Sequence, residues 1–212
     1  MSSDSRKIRL IMELRRSGIS DTRVCAAIER IPRERFVPET LRHQAYENIP
    51  LAIGCEQTMS APIVVGRMTQ ALELDERMKV LEVGTGSGYQ AAVLARLCRR
   101  VYTIERHRDL LADAEAAFKA LLIDNITTRS GDGTLGWPEQ APFERIIVTA
   151  AAADVPPILA EQLAEGGVMV VPVDHGRGES RLLRVRRGAE GLETEDLGEI
   201  RFVPLIAARG GG

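Results

Sequence analysis

Over residues 6–16 and 21–31 apolar positions recur every three or four residues, the period of an α-helix with one buried stripe. Gly18 and the Ser20-Asp21 pair separate the two runs as stop and start signals, and Pro32 and Pro38 punctuate the chain after the second run. Ile63, Val64, Met68 and Leu72 repeat the helical spacing directly after Pro62. The period changes at residue 79. Lys79–Val83 is a short apolar strand running into glycines, Tyr89–Leu97 a helix, Val101–Ile104 a strand, Leu110–Leu122 a helix and Ile126–Arg129 a strand. Glu144–Thr149 reads as a strand, Pro156–Ala164 as a helix, and Val168–Pro172 as a strand after the Gly166-Gly167 turn.

Such alternation predicts an α/β fold whose mostly parallel, doubly wound sheet is covered on both faces. The end of the chain differs. Arg181–Arg186, Leu192–Glu199 and Phe202–Ile206 read as consecutive strands, which predicts an antiparallel C-terminal edge. The 212 residues suit a single domain: a helical N-terminal cap (1–75) over a Rossmann-like core (76–207). Residues 1–23 are expected along one side of the ligand cleft, and the Gly210–Gly212 tail is expected to fray.

Charge narrows the partners. Lys plus Arg is 28 against 30 for Asp plus Glu, a net charge of −2, which does not suit a nucleic-acid ligand. The early basic cluster (Arg6, Lys7, Arg9, Arg15, Arg16) falls at helical spacing and reads as a solvated helix face. Cys25, Cys55 and Cys98 are scattered and odd in number, which points to a reducing cytoplasmic setting. No apolar run approaches the roughly 20 residues of a membrane span. His43, His107 and His175 show no metal spacing, so no metal is expected and each reads as a surface or loop residue.

The most informative stretch is the strand-to-helix turn Glu82-Val83-Gly84-Thr85-Gly86-Ser87-Gly88. Its glycines permit a tight bend and let a ligand approach the backbone amides. A dinucleotide would want G-x-G-x-x-G, but here the third glycine comes one residue early, which counts against a nicotinamide-dependent oxidoreductase. Glu82 at the strand end suits a cationic ligand, such as the amino group and sulfonium of S-adenosylmethionine. Glu105 ends the next strand, placed for ribose hydroxyls, and Asp132 with Gly133 ends the third, placed for the adenine edge. Capping of the following helices explains Glu105 or Asp132 singly, but not both together with Glu82. The cofactor reading is therefore S-adenosylmethionine, held by Glu82, Gly84, Thr85, Gly86, Ser87, Gly88, Glu105, Asp132 and Gly133, on a Rossmann-like methyltransferase fold.

One further set of motifs is more specific. Ile31-Pro32-Arg33-Glu34-Arg35-Phe36-Val37-Pro38, Gln57-Thr58-Met59-Ser60-Ala61-Pro62, Glu82–Ala95, Gly131–Gly136 and Phe202-Val203-Pro204-Leu205 occur in this order. From about residue 24 to 207 the chain closely resembles the protein-L-isoaspartate O-methyltransferases. The resemblance implies methyl transfer from S-adenosylmethionine to the free α-carboxylate of L-isoaspartyl residues in damaged proteins, followed by closure to a succinimide. It further implies that Ser60 is the catalytic serine, that Thr58 lies beside it in the substrate pocket, and that a strand around Val203 helps hold the substrate backbone. Two positions depart from the family pattern: Ile63 stands where a histidine is usual, and Cys55-Glu56 replaces a Tyr-Gly-like pair. Cys55 reads as a buried or half-buried spectator.

Ser60 also reads as the N-cap of the helix that begins with Pro62, and a hydroxyl at a helix N-terminus is itself a place for a carboxylate. A carboxylate acceptor is ionised at neutral pH and needs no general base, in keeping with the lack of any histidine motif. Ser60 is expected to aim one carboxylate oxygen at the methyl carbon. Alternatives are a methyltransferase for another carboxylate or for an RNA base, and a non-catalytic S-adenosylmethionine-binding protein. The chain is expected to act as a cytoplasmic monomer, with no nucleic-acid or membrane partner.

Overall fold

The computed structural model describes residues 3–176 and 179–206, so the Gly210–Gly212 tail lies outside the described residues. Helices α1 (Ser3–Arg16) and α2 (Thr22–Arg30) open the chain. Gly18 lies between them at φ +93°, and Asp21 caps α2 by accepting from the amides of Arg23 (2.8 Å) and Val24 (3.4 Å). In α1 the stripe that reaches the core is Leu10 and Leu14, whereas Ile8 and Met12 face outward. That face packs α1 on α2 and on α3 (Pro62–Ala71) rather than along the ligand cleft, which overturns the expected placement of this segment for its described residues, 3–23. Helical phase is the cause, since it turns the Leu10–Leu14 side inward.

A hairpin that the apolar pattern does not announce comes next, β1 (Leu51–Gly54) and β2 (Gln57–Met59). Its two turn residues, Cys55 and Glu56, both have left-handed φ (+50° and +59°). Two-residue hairpins demand that conformation and usually recruit Asn-Gly for it, so Cys-Glu carries no sequence signal for the turn. The tip is solvated, and Cys55 is exposed, not buried.

The sheet begins with β3 (Lys79–Val83) and α4 (Tyr89–Leu94) and continues with β4 (Arg100–Glu105), α5 (Arg108–Ala120) and β5 (Ile126–Ser130). After two short 3-10 turns come β6 (Phe143–Val148), α6 (Pro157–Glu161), β7 (Leu163–Asp174), β8 (Ser180–Gly188) and β9 (Gly191–Ile200). The strand order is β5-β4-β3-β6-β7-β8-β9. Pairings are parallel as far as β7 and antiparallel for β7–β8 and β8–β9. Order reverses between β3 and β6, so their carboxyl ends splay into a crevice where open α/β sheets bind ligands.

Strand alternation builds two cores. Val80, Val101, Ile147 and Val170 pack on the side that holds Leu14, Val24, Met68, Val93 and Phe118. Leu81, Val83, Ile146, Val148 and Met169 pack on the other side with Leu159 and Ala160 of α6. Buried Arg145 closes the end of α3, donating from Nε to the Leu72 carbonyl and from Nη2 to that of Glu73 (3.0 Å).

One expected strand is missing. Phe202–Ile206 does not extend the antiparallel edge; it leaves the sheet after Ile200 and makes one parallel bridge, Pro204 with Ala151. Pro204 has no N–H to donate to a ladder, and the segment crosses instead over the carboxyl end of β6.

Candidate active site

The loop from Gly84 to Gly88 carries the chain out of β3 and into α4. Its glycines sit at φ +97°, +52° and +87°, and two of them are also required by space. A Cβ on Gly84 would lie 2.4 Å from Thr149 Oγ1, and one on Gly88 would lie 2.7 Å from the Phe118 ring and 2.9 Å from Ala114. The first glycine lets the loop approach the end of β6, and the last lets α4 pack onto α5. Neighbouring β4 holds the loop: the amides of Gly84 and Thr85 donate to the Ile104 carbonyl (2.9 and 3.2 Å), and the Gly86 amide donates to Glu105 Oε2 (2.8 Å).

Glu105 is buried at the base of the cleft, and its Oε1 accepts from the His107 amide (2.9 Å). Both oxygens therefore hold backbone amides, yet each retains a lone pair. Asp132 accepts from the Thr134 amide (2.9 Å) and hydroxyl (2.7 Å), the capping geometry weighed from sequence, and it places Gly133 in the cleft wall. A Cβ on Gly133 would come within 2.5 Å of Val83.

Glu82 is different. Alternation along β3 turns it under the loop instead of into the cleft, where it is fully buried. Thr103 Oγ1 donates to Glu82 Oε2 (2.5 Å) and lies 2.6 Å from Thr85 Oγ1, while Glu82 Oε1 has no partner among the described residues. Burial pushes the carboxyl up to about 8 against the pull of the Thr103 hydrogen bond, and the Glu105 charge adds to the rise. Burial thus favours its protonated form, and the side chain props the loop through two threonines from behind the cleft wall.

The facing wall comes from β2 and α3. Thr58 and Ser60 both line the cleft. Ser60 is not the helix cap. Pro62 forces its predecessor into an extended conformation, so Ala61 (ψ 145°) takes the N-cap position and Ser60 stays one residue outside. Capping is done instead by the Asn48 side chain, which accepts from the Ile63 amide (3.0 Å). The Ser60 hydroxyl makes no hydrogen bond among the described residues, and its carbonyl accepts from Arg33 Nη2 (2.6 Å). Neither Ile63 nor Cys55-Glu56 lines the cleft.

The segment after β9 forms the third wall. The Ala151 amide donates to the Val203 carbonyl (2.8 Å), the Leu205 amide to the Ala151 carbonyl (2.7 Å), and Arg106 Nη1 to the Ile206 carbonyl (3.2 Å). Arg67 anchors its base through the carbonyls of Leu197 (2.9 Å) and Glu199 (3.1 Å). The three walls enclose about 510 Å³, a volume suited to a nucleoside-sized ligand. Of the histidines, only His107 lies in the wall. No group of three potential metal ligands occurs among the described residues.

Of the residues singled out from sequence, the cleft wall gathers Thr58, Ser60, Gly84, Thr85, Gly86, Ser87, Glu105, Gly133 and Val203, while Glu82, Gly88 and Asp132 stand behind it. Thr149, Arg67 and Arg106 were missed. Thr149 ends a strand at the sheet's switch point, a signal present in the sequence; the two arginines act on remote carbonyls and leave none.

A family model described as protein-L-isoaspartate(D-aspartate) O-methyltransferase matches residues 5–210. A protein-L-isoaspartate O-methyltransferase of Rhodospirillum rubrum is 64% identical, with 97% of this chain and 95% of that one covered. A solved protein-L-isoaspartate O-methyltransferase superposes with a TM-score of 0.85 at 30% identity, covering 97% of this chain and 66% of that one. A Plasmodium falciparum protein described as a beta-aspartate methyltransferase, solved with S-adenosyl-L-homocysteine, gives 0.80 at 25% identity and covers 93% of this chain and 97% of that one.

Proposed function

The chain belongs to the protein-L-isoaspartate(D-aspartate) O-methyltransferase family, and from that premise we propose how its cleft divides the reaction. The protein is an S-adenosylmethionine-dependent enzyme that esterifies the free α-carboxylate of L-isoaspartyl residues in damaged proteins, and the ester then closes to a succinimide. The observation that carries the division is that the glycine loop and an unengaged Ser60 hydroxyl line the same cleft.

When bound, S-adenosylmethionine supplies a methyl group on sulfonium sulfur, open to in-line displacement. The Gly84–Gly88 loop fits such a ligand, because Gly84 and Gly86 line the cleft with bare backbone and leave no side chain between it and a bound nucleoside. Glu105 would hold the ribose hydroxyls with its remaining lone pairs, and the turn at Asp132-Gly133 would hold the adenine end. Glu82 holds the loop from beneath. On the acceptor side the isoaspartyl carboxylate, with an ordinary pKa of about 3.3–3.7, arrives ionised, so no residue needs to take a proton from it. Ser60 donates one hydrogen bond to orient an oxygen, and Thr58 borders it. A neutral donor suits this task because a full positive charge would tie up the attacking lone pair. The wall at Val203 lies beside the substrate's main chain. Alignment of this kind supplies several kcal/mol of the barrier reduction.

The substrates are isoaspartyl-bearing proteins and peptides. The same reading makes the enzyme a cytoplasmic monomer with no nucleic-acid or membrane partner. The net charge of −2 and three free cysteines support it, and no described helix is long and apolar enough to cross a membrane. Labelled methyl transfer to an isoaspartyl peptide, beside its aspartyl twin, tests the substrate. Base-labile label on the isoaspartyl peptide alone is expected, and equal label on both would overturn it.

A further inference from the structure

Arg33 is the largest fully buried side chain in the described protein. It sits in a 3-10 turn (Arg33–Phe36) that follows α2, and it lines none of the cleft. No carboxylate pairs with it among the described residues. Its Nη2 donates to the Ser60 carbonyl at 2.6 Å, its guanidinium carbon lies 4.6 Å from the centre of the Tyr89 ring, and Nε and Nη1 have no hydrogen-bond partner. Burial depresses its pKa, the expected response of a cation without a counter-charge. Where stability alone is at stake, a hydrocarbon of similar volume serves as well as an incompletely satisfied buried cation, or better.

The two groups that Arg33 does hold belong to opposite walls. Ser60 carries the acceptor-side hydroxyl, and Tyr89 follows Gly88 directly as the first residue of α4, where the glycine loop ends. A planar guanidinium suits both contacts at once: one edge donates to a carbonyl while the cation lies over an aromatic ring. A lysine ammonium, a point charge on a flexible stem, does not hold both contacts in one fixed geometry.

We propose that Arg33 is the positioning residue of this active site, fixing the spacing between the Ser60 hydroxyl and the methyl-donor loop through the Ser60 carbonyl and the Tyr89 ring. This rests on the assignment of Ser60 to the acceptor carboxylate. In-line transfer tolerates little misplacement, and an error near 1 Å costs on the order of 100-fold in rate. Arg33 therefore acts on turnover without touching substrate.

The test is a four-member cycle of wild type, Arg33→Met, Ser60→Ala and the double variant. For each, kcat and KM are measured with an isoaspartyl peptide, together with S-adenosylhomocysteine affinity and thermal midpoint. Arg33→Met is expected to lower kcat by roughly 10- to 100-fold, with peptide KM, cofactor-product affinity and thermal midpoint close to wild type. Added to Ser60→Ala, it is expected to cost little more, because both changes abolish one alignment. Wild-type kcat in a folded Arg33→Met, or fully multiplicative effects in the double variant, would each overturn the proposal. Should Ser60→Ala alone keep wild-type kcat, the Ser60 assignment fails, an outcome distinct from failure of Arg33. Arg33→Lys is the second variant if Arg33→Met does not fold: a kcat about 10-fold down at unchanged cofactor-product affinity supports the role, and wild-type kcat sinks it.

Discussion

The two sides of the cleft are built by different means. The donor side uses the ends of consecutive parallel strands, so Gly84–Gly88, Glu105 and Asp132-Gly133 arrive in register because β3, β4 and β5 do. The acceptor side has no such repeat. It draws on Arg33, on Thr58 and Ser60 and on the stretch around Val203, stitched by side chains such as Arg67 and Arg106 that reach across the chain to carbonyls. The donor side is thus inseparable from the sheet, whereas the acceptor side is an assembly whose parts can be altered one at a time.

If the contrast holds, the largest effect falls on the donor side and reaches the fold. Gly88→Val places a branched side chain at φ +87° against Phe118 and Ala114. It is expected to lower stability by about 3 kcal/mol or more and to remove cofactor affinity with it. Chemical denaturation alongside S-adenosylhomocysteine titration checks this, and a stable variant that still binds would break the comparison.

Ser60→Ala is the matching change on the acceptor side. Its hydroxyl has no partner among the described residues, so folding and cofactor affinity should stay within about twofold. Turnover should fall about 100-fold, the cost of one oriented donor at a reacting oxygen. Equal losses in kcat and cofactor affinity would show that the two walls are not separable.

The smallest expected effect sharpens the donor side alone. Glu82 is raised from its ordinary 4.5 to about 8 by burial, so its proton is held more tightly in the folded chain than in the unfolded one. Its contribution to stability is therefore fully present below about pH 4.5 and is lost as pH rises through about 8. Glu82→Gln, which cannot ionise, should remove that decline and be the more stable of the two above pH 8. Denaturation curves from pH 5 to 9 read it directly, and parallel pH profiles would mean that the carboxyl titrates as an ordinary one.

Much of this was legible in the chain. Short apolar runs and period-3.6 runs located the sheet strands and their helices, because the central strands are buried along their whole length and the helices bury one stripe, and Asp21 announced α2 as its cap. The glycine loop was readable because only glycine adopts φ +97° beside Thr149. The features that escaped share one cause: their energetics depend on residues far away in sequence. The Cys55-Glu56 turn adopts left-handed angles without turn residues because the hairpin around it imposes them. Phe202–Ile206 reads as a strand by composition, but it pairs with Ala151 at the end of β6, not with β9. Ser60 matches the pattern of a helix cap, yet Pro62 shifts the helix start by one residue and Asn48 takes the cap, leaving the hydroxyl unengaged in the cleft. Local pattern therefore determined the sheet, its order of elements and the donor loop, since those depend on neighbours along the chain. Only tertiary packing decided that Glu82 is buried, that Arg33 sits behind the wall, and that the Ser60 hydroxyl is left unengaged among the described residues, since burial and hydrogen-bond partners are properties of the folded whole.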